Sequence, residues 1–129
     1  MYKEIIISTV IIFSIFFLDY ITQKYTDKTI NTAIKDLTEI KGKIAEDNVD
    51  KEKVLKEIDE KYEKWLGYHK KLAFYIEHNE LEKVETDYIA GKNFIEVEEY
   101  ESAFSELSKT IFILEHIHDK YSIKWANIF

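Results

Sequence analysis

The chain has 129 residues, a formal net charge of −7, no cysteine, no proline and three glycines, and all of its lysine-plus-arginine total of 18 is lysine. This length supports one domain with one modest core, and the missing cysteine excludes disulfides, thiolate metal sites and a cysteine nucleophile. The acidic charge and the lack of arginine argue against a nucleic-acid partner, while the scarcity of glycine and proline favours long helices with short polar connections.

The first 24 residues, MYKEIIISTVIIFSIFFLDYITQK, predict a membrane anchor. No charged residue lies between Ile5 and Leu18. Extended to Ile21, this stretch would form a helix of about 25 Å, at the short end of a membrane span. The residues expected to face lipid are Ile5, Ile6, Ile7, Ile11, Ile12, Phe13, Phe16, Phe17 and Leu18.

Two other interpretations of this segment are a cleaved signal peptide and a buried core helix. The stretch LDYITQKY offers no small-x-small cleavage pattern, so an uncleaved signal anchor is favoured. No polar face makes the segment amphipathic, which disfavours a core helix. The short tail carries the α-amino group and Lys3, and this predicts a single-pass protein of the cell membrane with residues 25–129 outside the cytoplasm.

The remainder of the chain predicts four amphipathic helices, because apolar residues recur at alternating steps of three and four. The inward residues are Ile30, Ala33, Leu37, Ile40 and Ile44 in a helix over about 26–46; Leu55, Ile58, Tyr62, Trp65, His69, Leu72 and Ile76 over about 51–77; Leu81, Val84, Tyr88, Gly91 and Ile95, widened by Phe94, in a third helix; and Tyr100, Ala103, Leu107, Thr110, Leu114 and Ile117 over about 99–117. Whether the first of these helices continues from the membrane segment is left open.

Capping residues mark several of the predicted ends. Asp50 is a good N-cap for the second helix, and Asn79, with Glu82 three residues later, can form a capping box for the third. Gly67 lies inside the second helix, where it marks either a bend or a close helix contact.

Short connections make successive helices antiparallel neighbours. The fold class is therefore all-α: an N-terminal transmembrane helix followed by an antiparallel four-helix bundle of two helical hairpins. The stretches NVDKEKVLKEI and EVEEYESAFSEL resemble each other and the turn of a tetratricopeptide pair, although two pairs are fewer than the three that such stacks need.

Two histidines near the C-terminus, His116 and His118, raise the question of a metal site. Side chains two residues apart on a helix point about 200° away from each other. Glu115 and His118 have the Glu-x-x-His spacing of di-iron bundles, but no second such pair exists in the sequence, and those sites require one. We therefore expect no metal and no cofactor.

His69 lies on the apolar stripe of the second helix and leaves two hypotheses open. It is either a core histidine with one satisfied ring nitrogen, or a ligand-binding or pH-responsive group with Tyr62 and Trp65 nearby. The many carboxylates lie on polar helix faces, and no phosphate loop, nucleophile elbow or metalloprotease motif occurs. The sequence thus predicts a protein that is not an enzyme.

The fourth helix is apolar around its full circumference at TIFILEHI. One bundle face cannot bury Phe112 and Ile113 together with the inward stripe. Either the tail YSIKWANIF folds back over them, or they form a partner-binding patch with His116 one turn further on.

The C-terminal stretch LEHIHDKYSIKWANIF resembles the bacterial domain-of-unknown-function 4363 family. Leu114–Ile117, Asn127 and Ile128 match the family's tail, and HNELE is similar to its mid-chain. The resemblance implies a small membrane-anchored helical protein of low-GC Gram-positive bacteria and supplies no activity. Family members commonly carry proline where this chain has His118, which implies a helix-terminating turn there.

Together these observations predict an accessory subunit that binds another membrane protein or itself. The alternative is a small-ligand or metal sensor centred on His69.

Overall fold

The computed structural model describes residues 1–122, without the side chain of Ser122. The helices are α1 (Tyr2–Ile44), α2 (Lys51–Leu72), α3 (His78–Glu96) and α4 (Tyr100–Ser122). No strand occurs within this part of the chain. The predicted all-α fold, with a long apolar N-terminal helix and a helical bundle, is confirmed.

The apolar segment and the first bundle helix are a single helix. α1 runs for 43 residues without a break, which is roughly 65 Å at about 1.5 Å per residue. Its buried residues begin at Thr26, so the bundle starts within two helical turns of the end of the apolar segment.

The four helices form a closed antiparallel ring. α1 packs against α2 and α4, and α3 packs against α2 and α4. Antiparallel neighbours joined by short connections are the usual product of such a sequence. One end of the bundle therefore collects the start of its α1 portion, the α2–α3 turn and the end of α4; we call it the anchor end.

The core agrees with the predicted stripes of α1 and α3, and with that of α4 apart from Tyr100, which is half-buried. Its fully or almost fully buried apolar residues are Ile30, Ala33, Leu37, Ile40, Ile44, Val54, Ile58, Trp65, Leu72, Ile76, Leu81, Val84, Tyr88, Ile95, Ala103, Leu107, Leu114 and Ile117. The stripe of α2 is confirmed less completely, because Leu55, Tyr62 and His69 are only partly buried.

Three predicted helix ends are wrong. α2 stops at Leu72 instead of residue 77, and residues 73–77 form the turn to α3. α3 begins at His78 with Glu77 as its N-cap, and no side chain caps it. The predicted Asn79 capping box therefore does not form. α4 continues to Ser122, so His118 lies within a helix and not at a turn.

The cap at the start of α2 is confirmed, since the Asp50 carboxylate accepts a hydrogen bond from the Lys53 backbone N–H at 3.2 Å. The α3–α4 turn is closed by a residue that the sequence did not reveal. Glu98 has φ 60°, and the N–H groups of Glu98 and Glu99 bond to the carbonyls of Ile95 and Phe94. This is the Schellman arrangement, in which glycine is the usual left-handed residue.

Gly67 is exposed, and a Cβ atom placed there would meet nothing within 4 Å. The predicted close helix contact at Gly67 is therefore wrong. The close approach is at Gly91 of α3, where a Cβ atom would lie 2.8 Å from Leu107 Cδ2 of α4.

Candidate interaction surfaces

Most of the exposed large apolar side chains among the described residues belong to the apolar part of α1. No side chain in its most apolar 18-residue window is buried, and the helix is long and apolar enough to cross a membrane. All nine residues predicted to face lipid are exposed. The hydroxyls of Thr9 and Ser14 each donate to the carbonyl four residues earlier, at 2.8 Å, so both are satisfied without water, as hydrocarbon requires.

The structure separates the three residues of the predicted partner patch. Phe112 is 70% exposed, whereas Ile113 is half-buried against the core. His116 is exposed, with Nε2 3.8 Å from Glu80 of α3. Of the three residues, Phe112 is thus the exposed apolar one, and the patch itself stays a prediction.

Phe112 lies on the outer face of α4 beside α3. It borders a shallow surface depression with Asp87, Ser108 and Lys109. Burial, followed by the charge of Glu106, raises the pKa of Asp87. The surroundings of Phe112 thus combine one exposed ring with polar groups around it.

The alternative that the C-terminal tail folds back over Phe112 and Ile113 depends mostly on residues that the structure does not describe. Apart from Tyr121, the tail residues that were expected to cover Phe112 and Ile113 are Ile123, Trp125, Ile128 and Phe129, which lie outside the described residues. Tyr121 is half-buried, and its hydroxyl accepts a hydrogen bond from the Glu77 backbone N–H at 3.2 Å. It therefore closes the anchor end and is directed towards the α2–α3 turn.

The bonding of His69 agrees with the first hypothesis, in which one of its ring nitrogens is satisfied by a partner within the bundle. It is partly buried, and Nδ1 pairs with the carboxylate of Glu85 on α3. Burial and then the charge of Glu85 raise the pKa of Tyr62, whose ring contacts Tyr88 at 5.4 Å between centroids. Trp65 points into the core, and its Nε1 has no hydrogen-bond partner among the described residues. The ligand hypothesis for His69 stays a prediction.

All four histidines lie at the anchor end, and each faces a carboxylate. His78 Nε2 is 2.7 Å from Glu82, and His118 Nε2 pairs with Asp27 of α1. Since His118 turns towards α1 and His116 towards α3, the two do not share a site. Within residues 1–122, no group of three or more potential ligand residues is arranged to hold a metal ion.

Sequence reasoning did not predict the exposure of Phe74. Phe74 is 89% exposed in the α2–α3 turn, where a continuous helix was expected. The available signal was its position off the apolar stripe of α2. Its neighbour Tyr75 is partly buried and donates to the Thr22 carbonyl at 3.1 Å, which ties this turn to α1.

The family described as domain of unknown function (DUF4363) matches residues 20–128. The match begins at the end of the apolar segment and covers the whole bundle. No curated protein and no solved structure matches the chain. The chain therefore belongs to the DUF4363 family.

Proposed function

We propose that the protein is a non-enzymatic, single-pass membrane protein whose bundle binds another membrane protein as an accessory or scaffold subunit. The observation that supports this most is the exposed Phe112 ring, carried on a bundle that continues directly from the exposed apolar half of α1. An isolated apolar helix surface of this length is unfavourable in water and suits a bilayer.

The apolar segment would be an anchor that stays attached. A signal-peptidase cut directly after the apolar segment would fall within or beside the residues that Tyr75 contacts, since the Tyr75 hydroxyl lies 2.6 Å from Thr26 Oγ1 and 3.1 Å from the Thr22 carbonyl. Both contacts are made by an unbroken helix. Cleavage there would remove the contacts that hold the α2–α3 turn against α1.

Membrane extraction tests the anchor. The full-length chain should stay in the membrane pellet after washing at alkaline pH, and its intact mass should include residues 1–24. Release by the wash, or a mass that lacks those residues, would contradict the anchor.

Cysteine labelling tests on which side of the membrane the bundle lies. Because the chain has no cysteine, a single Gly67→Cys variant would carry one thiol. An impermeant maleimide should label this thiol in intact cells.

The proposed partner would contact Phe112 from the side, at a short height above the membrane. Phe112 lies ten residues before the end of α4 at the anchor end, which is about 15 Å along the helix. A partner with a small domain next to the bilayer would reach this height. Aromatic side chains in the centre of a polar rim often contribute most of the binding energy in an interface.

Photocrosslinking from position 112 tests the interaction. A benzoylphenylalanine in place of Phe112 should give one dominant adduct with a different membrane protein in native membranes. The control is the same group at position 67, on α2, which does not pack against α4. Equal adducts from both positions, or none from position 112, would contradict the proposal. An adduct of two copies of this chain would replace it with self-association.

A further inference from the structure

Phe74 is the most exposed large apolar side chain among the described residues that follow α1, at 89%. It lies in the turn between α2 and α3, next to the half-buried Tyr75. An apolar ring left in water is unfavourable. Its position at the anchor end suggests which surroundings would cover it.

The height of this turn relative to α1 is fixed by Tyr75. Its hydroxyl contacts Thr26 Oγ1 at 2.6 Å and the Thr22 carbonyl at 3.1 Å. Thr22 and Thr26 follow the end of the apolar segment, Ile21, by one and five residues, or at most about 8 Å along the helix. The α2–α3 turn is thus level with the first turns after the apolar segment.

No linker separates the apolar segment from the bundle, since both belong to the continuous α1. The bundle therefore cannot move away from a bilayer that holds α1. The apolar segment is about 25 Å long, while the hydrocarbon core of a typical bilayer is about 30 Å thick. A short span is accommodated when the bilayer thins or when flanking residues reach into the interface, and either response brings the anchor end of the bundle close to the headgroups.

The side chains at the anchor end suit such an environment. Tyr25 and Tyr68 meet edge to face, with ring centroids 6.5 Å apart, and Lys71 Nζ lies 5.5 Å from the Tyr25 centroid. Lys70 and Lys71 are exposed directly before the turn. Tyrosine is enriched at membrane interfaces, and a lysine stem can cover apolar surface while its ammonium group stays in water.

The geometry points to a second membrane contact: we propose that the α2–α3 turn rests on the bilayer that holds α1, with Phe74 inserted at the boundary between headgroups and acyl chains. This inference depends on the proposed anchoring by α1. The contact would hold the bundle upright and fix the direction in which Phe112 faces.

Single-cysteine variants of the full chain test the contact. Phe74→Cys, Phe112→Cys and Phe13→Cys would each be labelled with an environment-sensitive nitrobenzoxadiazole group. The proteins would be reconstituted in vesicles of phosphatidylcholine and phosphatidylglycerol. Lipids that carry a quencher at a shallow or a deep acyl position would then report the depth of each label.

We expect the emission of the label at position 74 to be blue-shifted and to be quenched by the shallow quencher lipid. The label at position 13 should be quenched by the deep quencher lipid. The label at position 112 should be quenched by neither lipid. The unlabelled thiol at position 74 should react with a charged maleimide at least several-fold more slowly in vesicles than the thiol at 112. Because both native rings are largely exposed, neither change disturbs the core.

Two different failures can be told apart. If position 74 behaves like position 112 while position 13 is quenched, α1 is in the membrane and the proposed contact of the turn is wrong. If position 13 is not quenched, the anchoring under the proposed function is wrong, and the contact is refuted with it.

Discussion

Gly91 and Gly67 both lie inside helices, but their surroundings give them opposite roles. Gly91 permits the close packing of α3 against Leu107, whereas Gly67 faces solvent. Gly67→Ala should raise the free energy of unfolding by about 1 kcal/mol, since alanine is the better helix former. Gly91→Val should lower it by about 1–3 kcal/mol through overpacking. Urea unfolding of the detergent-solubilised chain, followed by circular dichroism, measures both, and equal effects would contradict this assignment.

Glu98 occupies a left-handed conformation that disfavours a residue with a Cβ atom. Its φ of 60° is required by the Schellman turn between α3 and α4. Glu98→Gly should therefore raise the free energy of unfolding by up to about 1 kcal/mol. The matched control is Glu101→Gly in the first turn of α4, which should lower it by about 1 kcal/mol. If both changes destabilise the protein equally, Glu98 does not hold this conformation in solution.

Tyr88 makes the fold sensitive to alkaline pH. Burial, and then the charge of Asp36, raise the pKa of its hydroxyl above the ordinary value of 10.0. The folded state thus holds this proton more tightly than the unfolded state. The corresponding stability is fully present below about pH 10 and is lost as the pH rises further. Tyr88→Phe should move the alkaline unfolding midpoint upwards, as measured by circular dichroism between pH 9 and 12. An unchanged midpoint would show that Tyr88 does not contribute.

At the scale of single helices, α4 has two consecutive apolar residues, Phe112 and Ile113, in different surroundings. Phe112 is exposed, and Ile113 packs against the core. Ile113→Ser should lower the free energy of unfolding by about 1–3 kcal/mol, while Phe112→Ser should change it by no more than about 0.5 kcal/mol. Urea unfolding separates them. A large loss from Phe112→Ser would mean that this ring is covered within the chain.

Several ion pairs join α2 to α1 in addition to the apolar core residues of both helices. The Asp36 carboxylate accepts hydrogen bonds from Lys64 at 2.9 Å and Lys61 at 3.3 Å, and Lys43 pairs with Glu57. The bond from Lys43 lowers the pKa of Glu57, and the bond to Asp36 raises that of Lys64.

Periodicity in the sequence predicted the buried face of each helix because one stripe per helix must meet the others. It predicted the ends less well. α2 ends five residues earlier than expected at Leu72, since Tyr75 turns back to bond with α1. The α3–α4 turn depends on Glu98 in the left-handed conformation. The sequence does not predict it, because this position holds neither glycine nor asparagine. The pairings of His69 with Glu85 and His118 with Asp27 link different helices, and only the packed structure reveals such long-range contacts.

At the scale of the whole molecule, the continuous α1 determines how the bundle is presented. A 43-residue helix joins the exposed apolar segment to the core without a hinge. With α1 anchored as proposed, the bundle would stand close to the membrane. The proposed second contact would turn the α2–α3 turn to the lipid and Phe112 to the side. This arrangement suits a protein that holds a neighbour in a fixed position.

Purification of the full-length tagged chain from its own membranes in mild detergent tests the central claim most directly. The account predicts that a second membrane protein co-purifies in a fixed stoichiometry, is lost with Phe112→Ser and is retained with Gly67→Ala. A chain that purifies alone, or a second protein that both variants retain equally, would contradict the account.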